Sequence, residues 1–172
     1  MRGIATMCKA LALGIALIVS NGWPSWGAAV GDPLPALTLP EVGSGRPLDV
    51  AAHGAGGVLA VVFMQTSCAA CRQELLLLKE LQTRYPGLKV VAVCVDSGPE
   101  ARVERYKEHF ELPFVFVHDP DFKTPGLFGF SFTPGVVLAD QAGRIAFVKG
   151  GYGQGDEAVL TQKVGELWGR QK

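Results

Sequence analysis

Apolar residues follow two alternating patterns along the chain, continuous runs of strand length and runs with helical spacing. The continuous runs occupy residues 58–64 and 88–95, and runs of this kind are typical of strands that are covered on both faces. Between them, apolar residues recur every three or four positions, which predicts a helix over residues 71–85. These residues are Leu75, Leu78, Leu81 and Tyr85. The pattern therefore predicts a strand, helix, strand unit.

The same alternation continues to the end of the chain. It predicts strands at 114–117, 136–138 and 145–149 and helices at 99–111 and 156–168. Asp96 or Ser97 is the expected cap of the first of these helices. A Gly-containing turn joins the last two strands, as in an antiparallel hairpin.

Near the beginning of this region, short apolar pieces around Leu37 and Leu48 predict two edge strands separated by Gly-rich turns. The order of elements requires right-handed parallel crossovers followed by an antiparallel hairpin. The predicted fold class is therefore α/β, with a mixed central sheet flanked by helices and an N-terminal β extension.

Residues 1–29 have the organisation of a secretory signal peptide. Arg2 and Lys9 form a basic head, residues 10–19 are apolar, and small residues precede a cleavage site after Ala29. An apolar stretch of about ten residues is short for a membrane span, which needs roughly twenty. We expect cleavage, and an uncleaved anchor is the alternative.

Residues 30–172 are enough for one domain with its own core. The chain has 16 basic and 16 acidic residues, and this balance without a basic cluster argues against nucleic-acid binding. Beyond the leader and its Cys8, three cysteines remain, and an odd number is a poor framework for structural disulfides.

Two of these cysteines, Cys68 and Cys71, stand where the first predicted strand gives way to the first helix, in "FMQTSCAACRQEL". The free N–H groups and the dipole at a helix N-terminus favour a thiolate, and they lower the pKa of a cysteine from about 8.5. Cys71 lies one turn further along and is expected to be more buried. A CxxC at this junction predicts a dithiol that exchanges electrons.

Three segments together, "FMQTSCAACRQEL", "VVAVCVD" and "FTPGVVLADQAGRIAFVKGGY", resemble the thioredoxin fold and, within it, the extracytoplasmic TlpA/ResA-like thiol-disulfide oxidoreductases. The resemblance implies that Cys68 attacks and Cys71 resolves. It also implies that Pro134 is a cis-proline, which places the backbone of Thr133 where a partner polypeptide can pair with it.

The resemblance further implies that Glu74 accepts a proton from Cys71. The alternative is a solvated glutamate in the first turn that complements the helix dipole. Other positions depart from the family pattern. Val62 stands where thioredoxin has a buried aspartate, and Ser67 replaces an aromatic residue. Two alanines separate the cysteines, so they give no local charge argument for an extreme reduction potential.

The family implies partners that are exported proteins with disulfides or dithiols, including apocytochromes in cytochrome c biogenesis, and a membrane thiol donor or acceptor that resets the pair. We expect a monomer without cofactor or metal, exported to the periplasm or another extracytoplasmic space and possibly retained there by its leader. The redox direction stays open, with a reductant favoured.

Two other functions share this fold. A peroxidase of the peroxiredoxin kind would use Cys68 on hydroperoxide, but the Pro-xxx-Thr-xx-Cys motif is absent. A Sco-like copper-binding assembly factor would add His118 or His109 to the cysteines, but such proteins favour three residues between the cysteines. Both histidines are expected to be ordinary surface or capping residues.

The remaining candidates have simpler interpretations. Cys94 lies within a predicted buried strand and is expected to be an inert small hydrophobe. Four phenylalanines could line a partner groove, although core packing is the favoured interpretation. They are Phe122, Phe128, Phe130 and Phe132.

Overall fold

The computed structural model describes residues 27–170. The strands are β1 (Thr38–Pro40), β2 (Pro47–Asp49), β3 (Leu59–Met64), β4 (Lys89–Cys94), β5 (Val115–His118), β6 (Gly135–Ala139) and β7 (Ile145–Gly150). The helices are α1 (Val50–Gly54), α2 (Ala69–Arg84), α3 (Glu100–His109) and α4 (Asp156–Gly169), and a 3-10 helix covers Pro125–Phe128. The predicted signal peptide falls almost wholly on residues 1–26, outside the described part of the chain.

The main sheet has five strands in the order β5-β4-β3-β6-β7. Strands β3, β4 and β5 are parallel, whereas β6 runs antiparallel to β3 and β7 antiparallel to β6. The predicted mixed sheet flanked by helices is thereby confirmed. All six residues of β3 are buried, because this strand is central and both of its faces are covered.

The N-terminal β extension differs from the prediction in one respect. Strands β1 and β2 pair with each other as a separate two-stranded antiparallel sheet, and an isolated bridge between Glu41 and Val117 joins this hairpin to β5 at the edge of the main sheet. Asp49 ends this hairpin and caps the short helix α1, since its Oδ1 accepts the N–H of Ala52 at 3.0 Å. The sequence pattern did not indicate α1.

Each face of the main sheet carries its own core. Helices α2, α3 and α4 cover one face, where Leu78, Val103 and Val164 meet alternate residues of the central strands. The segment before β1, helix α1 and the 3-10 helix cover the other, around Phe63 and Val137. Each large apolar side chain buried in this way contributes roughly 1.5–3 kcal/mol.

The strand register brings three loops together at one end of the sheet. Met64, the last residue of β3, is paired with Cys94, the last residue of β4. Phe63 is paired with Gly135, the first residue of β6. The loops that follow Met64 and Cys94 therefore lie beside the loop that precedes Gly135. Among residues 27–170, no helix is both long enough and apolar enough to cross a bilayer.

Candidate active site

Cys68 and Cys71 are joined by a disulfide at the N-terminus of α2, and their Cα atoms lie 5.2 Å apart. Cys68 has extended backbone and is the cap of the helix. Its Sγ accepts the N–H of Cys71 at 3.1 Å. Cys68 is half-buried, whereas Cys71 is fully buried. A partner can therefore reach the sulfur of Cys68 more readily than that of Cys71.

The third cysteine of the domain has a contrasting environment. Cys94 is free, and its side chain is fully buried. Burial raises the pKa of its thiol to about 12. At neutral pH this cysteine carries no significant thiolate, and the prediction of an inert residue agrees with its position.

Glu74 is the most unusual carboxyl group near the disulfide. It lies one turn beyond Cys71 on α2 and is only 1% exposed, and no group in residues 27–170 donates a hydrogen bond to its Oε2. Burial raises the pKa of Glu74 to about 8, although the nearby Lys149 opposes this shift. The alternative of a solvated first-turn glutamate was wrong, because this position faces the core and not water.

Two residues from the C-terminal part of the chain set the charge around Glu74. The ammonium of Lys149 lies 2.6 Å from Oδ2 of Asp156 and donates to the carbonyl of Gly151 at 2.8 Å. Lys149 lowers the pKa of Glu74, and Asp156 raises it. Because Asp156 already pairs with Lys149, the positive charge of Lys149 stabilises the Glu74 carboxylate only in part.

The loop before β6 is attached directly to the loop that carries the cysteines. The peptide bond between Thr133 and Pro134 is cis, as the resemblance implied. The hydroxyl of Thr133 donates to Oε1 of Gln65 at 3.0 Å, and Gln65 lies three residues before Cys68. The structure thus places Thr133 and Pro134 beside the loop that carries the redox pair. Nothing in the sequence pattern indicated that Gln65 belongs to the site.

A second contact fixes the other side of the cysteine loop. Both the backbone N–H and the hydroxyl of Thr66 donate to Oδ2 of Asp96, with 3.1 Å for the N–H. The prediction that Asp96 or Ser97 caps α3 was wrong. The cap position is Pro99, without a side-chain hydrogen bond, because α3 begins only at Glu100. The Asp96 carboxylate is bonded to Thr66 instead.

The two histidines lie in ordinary environments. Nε2 of His118 donates to the carbonyl of Asp96 at 2.8 Å, and the ring of His109 meets the edge of Phe110. Residues 27–170 contain no group of three or more His, Cys, Asp or Glu side chains that could hold a metal ion.

The phenylalanines divide between core and surface. Phe128 and Phe130 are buried and pack against Phe63, as predicted. Phe132 differs, because 55% of it is exposed, and it lies against Gly150 next to the Thr133 loop. The sequence could not separate it from its neighbours, since all four are equally apolar.

A disulfide at the start of the helix that leaves the central strand, with a cis-proline loop beside it, is the arrangement of the thioredoxin fold. The chain belongs to the Redoxin family, which matches residues 29–163. It is 27% identical over 147 residues to the thiol-disulfide oxidoreductase ResA of Geobacillus thermodenitrificans, covering 84% of this chain and 83% of that protein.

Solved structures agree with this family. A structure described as thiol:disulfide interchange protein DsbE from Chlorobium tepidum matches with a TM-score of 0.75 at 24% identity, over 83% of this chain and 99% of the other. An uncharacterized thioredoxin-like protein from Porphyromonas gingivalis matches with a TM-score of 0.69 at 27% identity, over 80% and 92%. The protein is a ResA/TlpA-like thiol-disulfide oxidoreductase.

Proposed function

We propose that this protein is an exported thiol-disulfide reductant, which uses the Cys68–Cys71 dithiol to reduce disulfides in partner proteins outside the cytoplasm. The observation that carries the proposal is the pair itself, with a half-buried sulfur at the helix N-terminus and a fully buried one behind it. Export is supported by the basic, apolar and small-residue pattern of residues 1–29.

The reaction is a two-step exchange. The thiolate of Cys68 attacks one sulfur of the partner disulfide, and the other partner sulfur leaves as a thiolate that takes a proton. Cys71 then loses its proton and attacks the sulfur of Cys68, which releases the second partner sulfur. The partner disulfide gains two electrons and two protons, and the Cys68–Cys71 disulfide forms. A membrane thiol donor restores the dithiol.

Glu74 is proposed as the proton carrier for Cys71. The two residues lie three positions apart on α2, so their side chains share one face of the helix. A pKa of about 8 in the disulfide form means that Glu74 is mostly protonated at neutral pH. When a donor opens the disulfide, this proton is available to the leaving sulfur of Cys71. In the reverse step the carboxylate accepts it.

The reducing direction is proposed from the two residues between the cysteines. A strong oxidant stabilises its reduced form, which requires groups that favour the thiolate. Ala69 and Ala70 between the cysteines carry no charge, and Glu74 is mostly protonated at neutral pH and adds none. The residues between the cysteines therefore do not stabilise the thiolate as a strong oxidant requires, and this supports the reducing direction.

The reduction potential tests the proposal. We expect the Cys68–Cys71 couple, equilibrated with redox buffers, to have a potential near that of thioredoxin, about −270 mV. A value near −120 mV would identify an oxidant. Peroxide consumption and copper binding, measured on the same sample, distinguish the peroxidase and the copper-binding assembly factor.

Partner capture tests the proposed location. Cys71→Ser should accumulate mixed disulfides through Cys68 with exported proteins when the full chain is expressed in cells, and Cys68→Ser should not. Mixed disulfides confined to cytoplasmic proteins would contradict export.

A further inference from the structure

A groove beside the redox pair carries unpaired positive charge that the exchange reaction does not use. We call it the α3 groove. It has a volume of about 820 Å³ and is lined by Thr66 and one side of α3, namely Arg102, Arg105, Tyr106, Glu108, His109 and Phe110. Thr66 lies two residues before Cys68, so the groove begins next to the reactive sulfur.

The arginines around this groove are exposed and unneutralised. Arg102 and Arg105 form no ion pair with any carboxylate in residues 27–170. The same holds for Arg72, which directly follows Cys71 and places its guanidinium 5.8 Å from the ring centre of Phe110. Of the described residues that line the groove, Glu108 alone is acidic.

The other acidic residues of α3 are directed away from this groove. Oε1 of Glu100 accepts the N–H of Gly43 at 2.5 Å, and the carboxylate of Glu104 also lies against Gly43, in the turn between β1 and β2. Positions 102, 105 and 109 recur at helical spacing and so share the opposite side. Helix α3 therefore separates most of its charges, with Glu100 and Glu104 toward the hairpin and the arginines toward the groove.

A hydroxyl in the groove lacks a partner. Tyr106 lines the groove, and its Oη is buried without a hydrogen bond to any described residue. Burial also raises the pKa of Tyr106, so the group remains an O–H donor at neutral pH. A buried donor without an acceptor costs free energy, and a carboxylate oxygen from an occupant would satisfy it if the Tyr106 side chain turns toward the groove.

The groove on the other side of α2 has the opposite character. Its volume is about 620 Å³, and its charged lining residues are Glu80 and Glu157. The cation next to it, Arg84, is paired with Glu80 at 2.9 Å. Positive and negative surfaces thus flank the same helix, and a charged polypeptide that crosses Cys68 meets different potentials on the two sides.

We propose that the α3 groove binds an acidic segment of the partner polypeptide, next to the partner's reactive cysteine, while Cys68 exchanges with it. This inference rests on the proposed function and adds a class of substrate to it. Arginine is suited to the occupant because its planar guanidinium pairs with carboxylates in a bidentate manner.

The test compares two disulfide peptides that differ only in the two residues beside the cysteine. One peptide has two glutamates there, and the other has two glutamines. The reduced full chain, in a Cys8→Ser background, is mixed with each peptide at low ionic strength and the second-order rate is measured. We expect the glutamate peptide to react about tenfold faster, with a preference that declines as salt is added.

Matched variants locate the source of the preference. Arg102→Gln with Arg105→Gln should reduce it to less than twofold. Arg144→Gln with Arg170→Gln removes the same charge at the opposite end of the sheet, near the turn between β6 and β7, and should retain the preference. Tyr106→Phe should weaken it two- to threefold.

Each outcome has a distinct meaning. Equal rates for the two peptides in the unsubstituted chain would overturn the proposal that the α3 groove binds an acidic segment. An equal loss of preference in both double variants would overturn it as well. Failure to reduce the glutamine peptide at all would overturn the proposed function itself.

Discussion

Cys94 and the Cys68–Cys71 pair lie at the ends of neighbouring strands, yet their chemistry is opposite. Cys94 ends β4 within the core, where burial raises the pKa of its thiol to about 12. Cys68 follows β3 by four residues, and this short extension places it at a helix N-terminus with partial access to solvent. Position relative to the strand end, and not residue type, decides which thiol is reactive.

The largest expected effect is the difference between replacing Cys68 and replacing Cys94 by serine. Cys68→Ser should lower the rate of disulfide reduction by at least about a thousandfold, since serine cannot form a disulfide with a partner. Cys94→Ser should keep that rate within about twofold of the unsubstituted protein, because Cys94 takes no part in the exchange. An insulin reduction assay measures both. An equal loss in the two variants, with both folded, would contradict the comparison.

Alkylation tests the same contrast without substitution. In the reduced native protein at pH 8, Cys68 should react with iodoacetamide about a thousandfold faster than Cys94, because a thiol with a pKa of about 12 is almost entirely protonated. Mass spectrometry of the digested protein separates the peptides. Unfolding in urea is the control and should bring the two rates within about tenfold.

Glu74 sharpens the comparison, because it is a buried acid one helical turn beyond Cys71. Its pKa of about 8 exceeds the ordinary value of 4.5, so the folded protein keeps a proton that the unfolded chain loses. The associated stability is complete below pH 4.5 and is lost as the pH rises through 8. Across this window the free energy of unfolding should fall by up to about 1.4 kcal/mol per pH unit.

Glu74→Gln is the matched variant. Urea unfolding of the disulfide form should show a flatter pH dependence between 4.5 and 8, since glutamine does not titrate. The same variant should slow the opening of the disulfide by about tenfold at pH 7, where the proton carrier is missing. Unchanged rates with a flattened stability profile would assign Glu74 a structural effect only.

Thr66 gives the smallest expected effect. Thr66→Val removes the hydroxyl that donates to Asp96 and should lower the free energy of unfolding by about 1–2 kcal/mol. The reduction rate should fall only two- to threefold, because the backbone N–H of Thr66 still holds the loop. Thr124→Val, far from the cysteines in sequence and bonded to Asp119, provides a control that should lose stability without loss of rate.

Local patterns predicted the central part of the fold. The apolar run that became β3, the leucine spacing of α2 and the CxxC between them all lie within 27 residues, so the strand, helix and redox pair follow from short-range spacing. The hairpin of β6 and β7 was equally visible from its turn. The separate pairing of β1 with β2 was not, because short strands carry no information about which sheet they join.

The environment of the site depends on contacts distant in sequence. Glu74 is buried because β7 and α4 lie near it, and Lys149 and Asp156 come more than seventy residues later. The bonds of Gln65 to Thr133 and of Thr66 to Asp96 likewise join different loops. Polar residues of this kind have no periodicity, so nothing in the sequence separates them from ordinary loop residues.

The capping role of Cys68 makes the first turn of α2 a reporter of sulfur chemistry. The N–H of Cys71 is held by the sulfur of Cys68, so every covalent change at that sulfur also changes the acceptor that closes the helix. A free thiolate, a mixed disulfide and the internal disulfide present different acceptors to one amide. Hydrogen exchange at the Cys71 amide should therefore record each stage of the catalytic cycle from within the backbone, without a dye or a substrate.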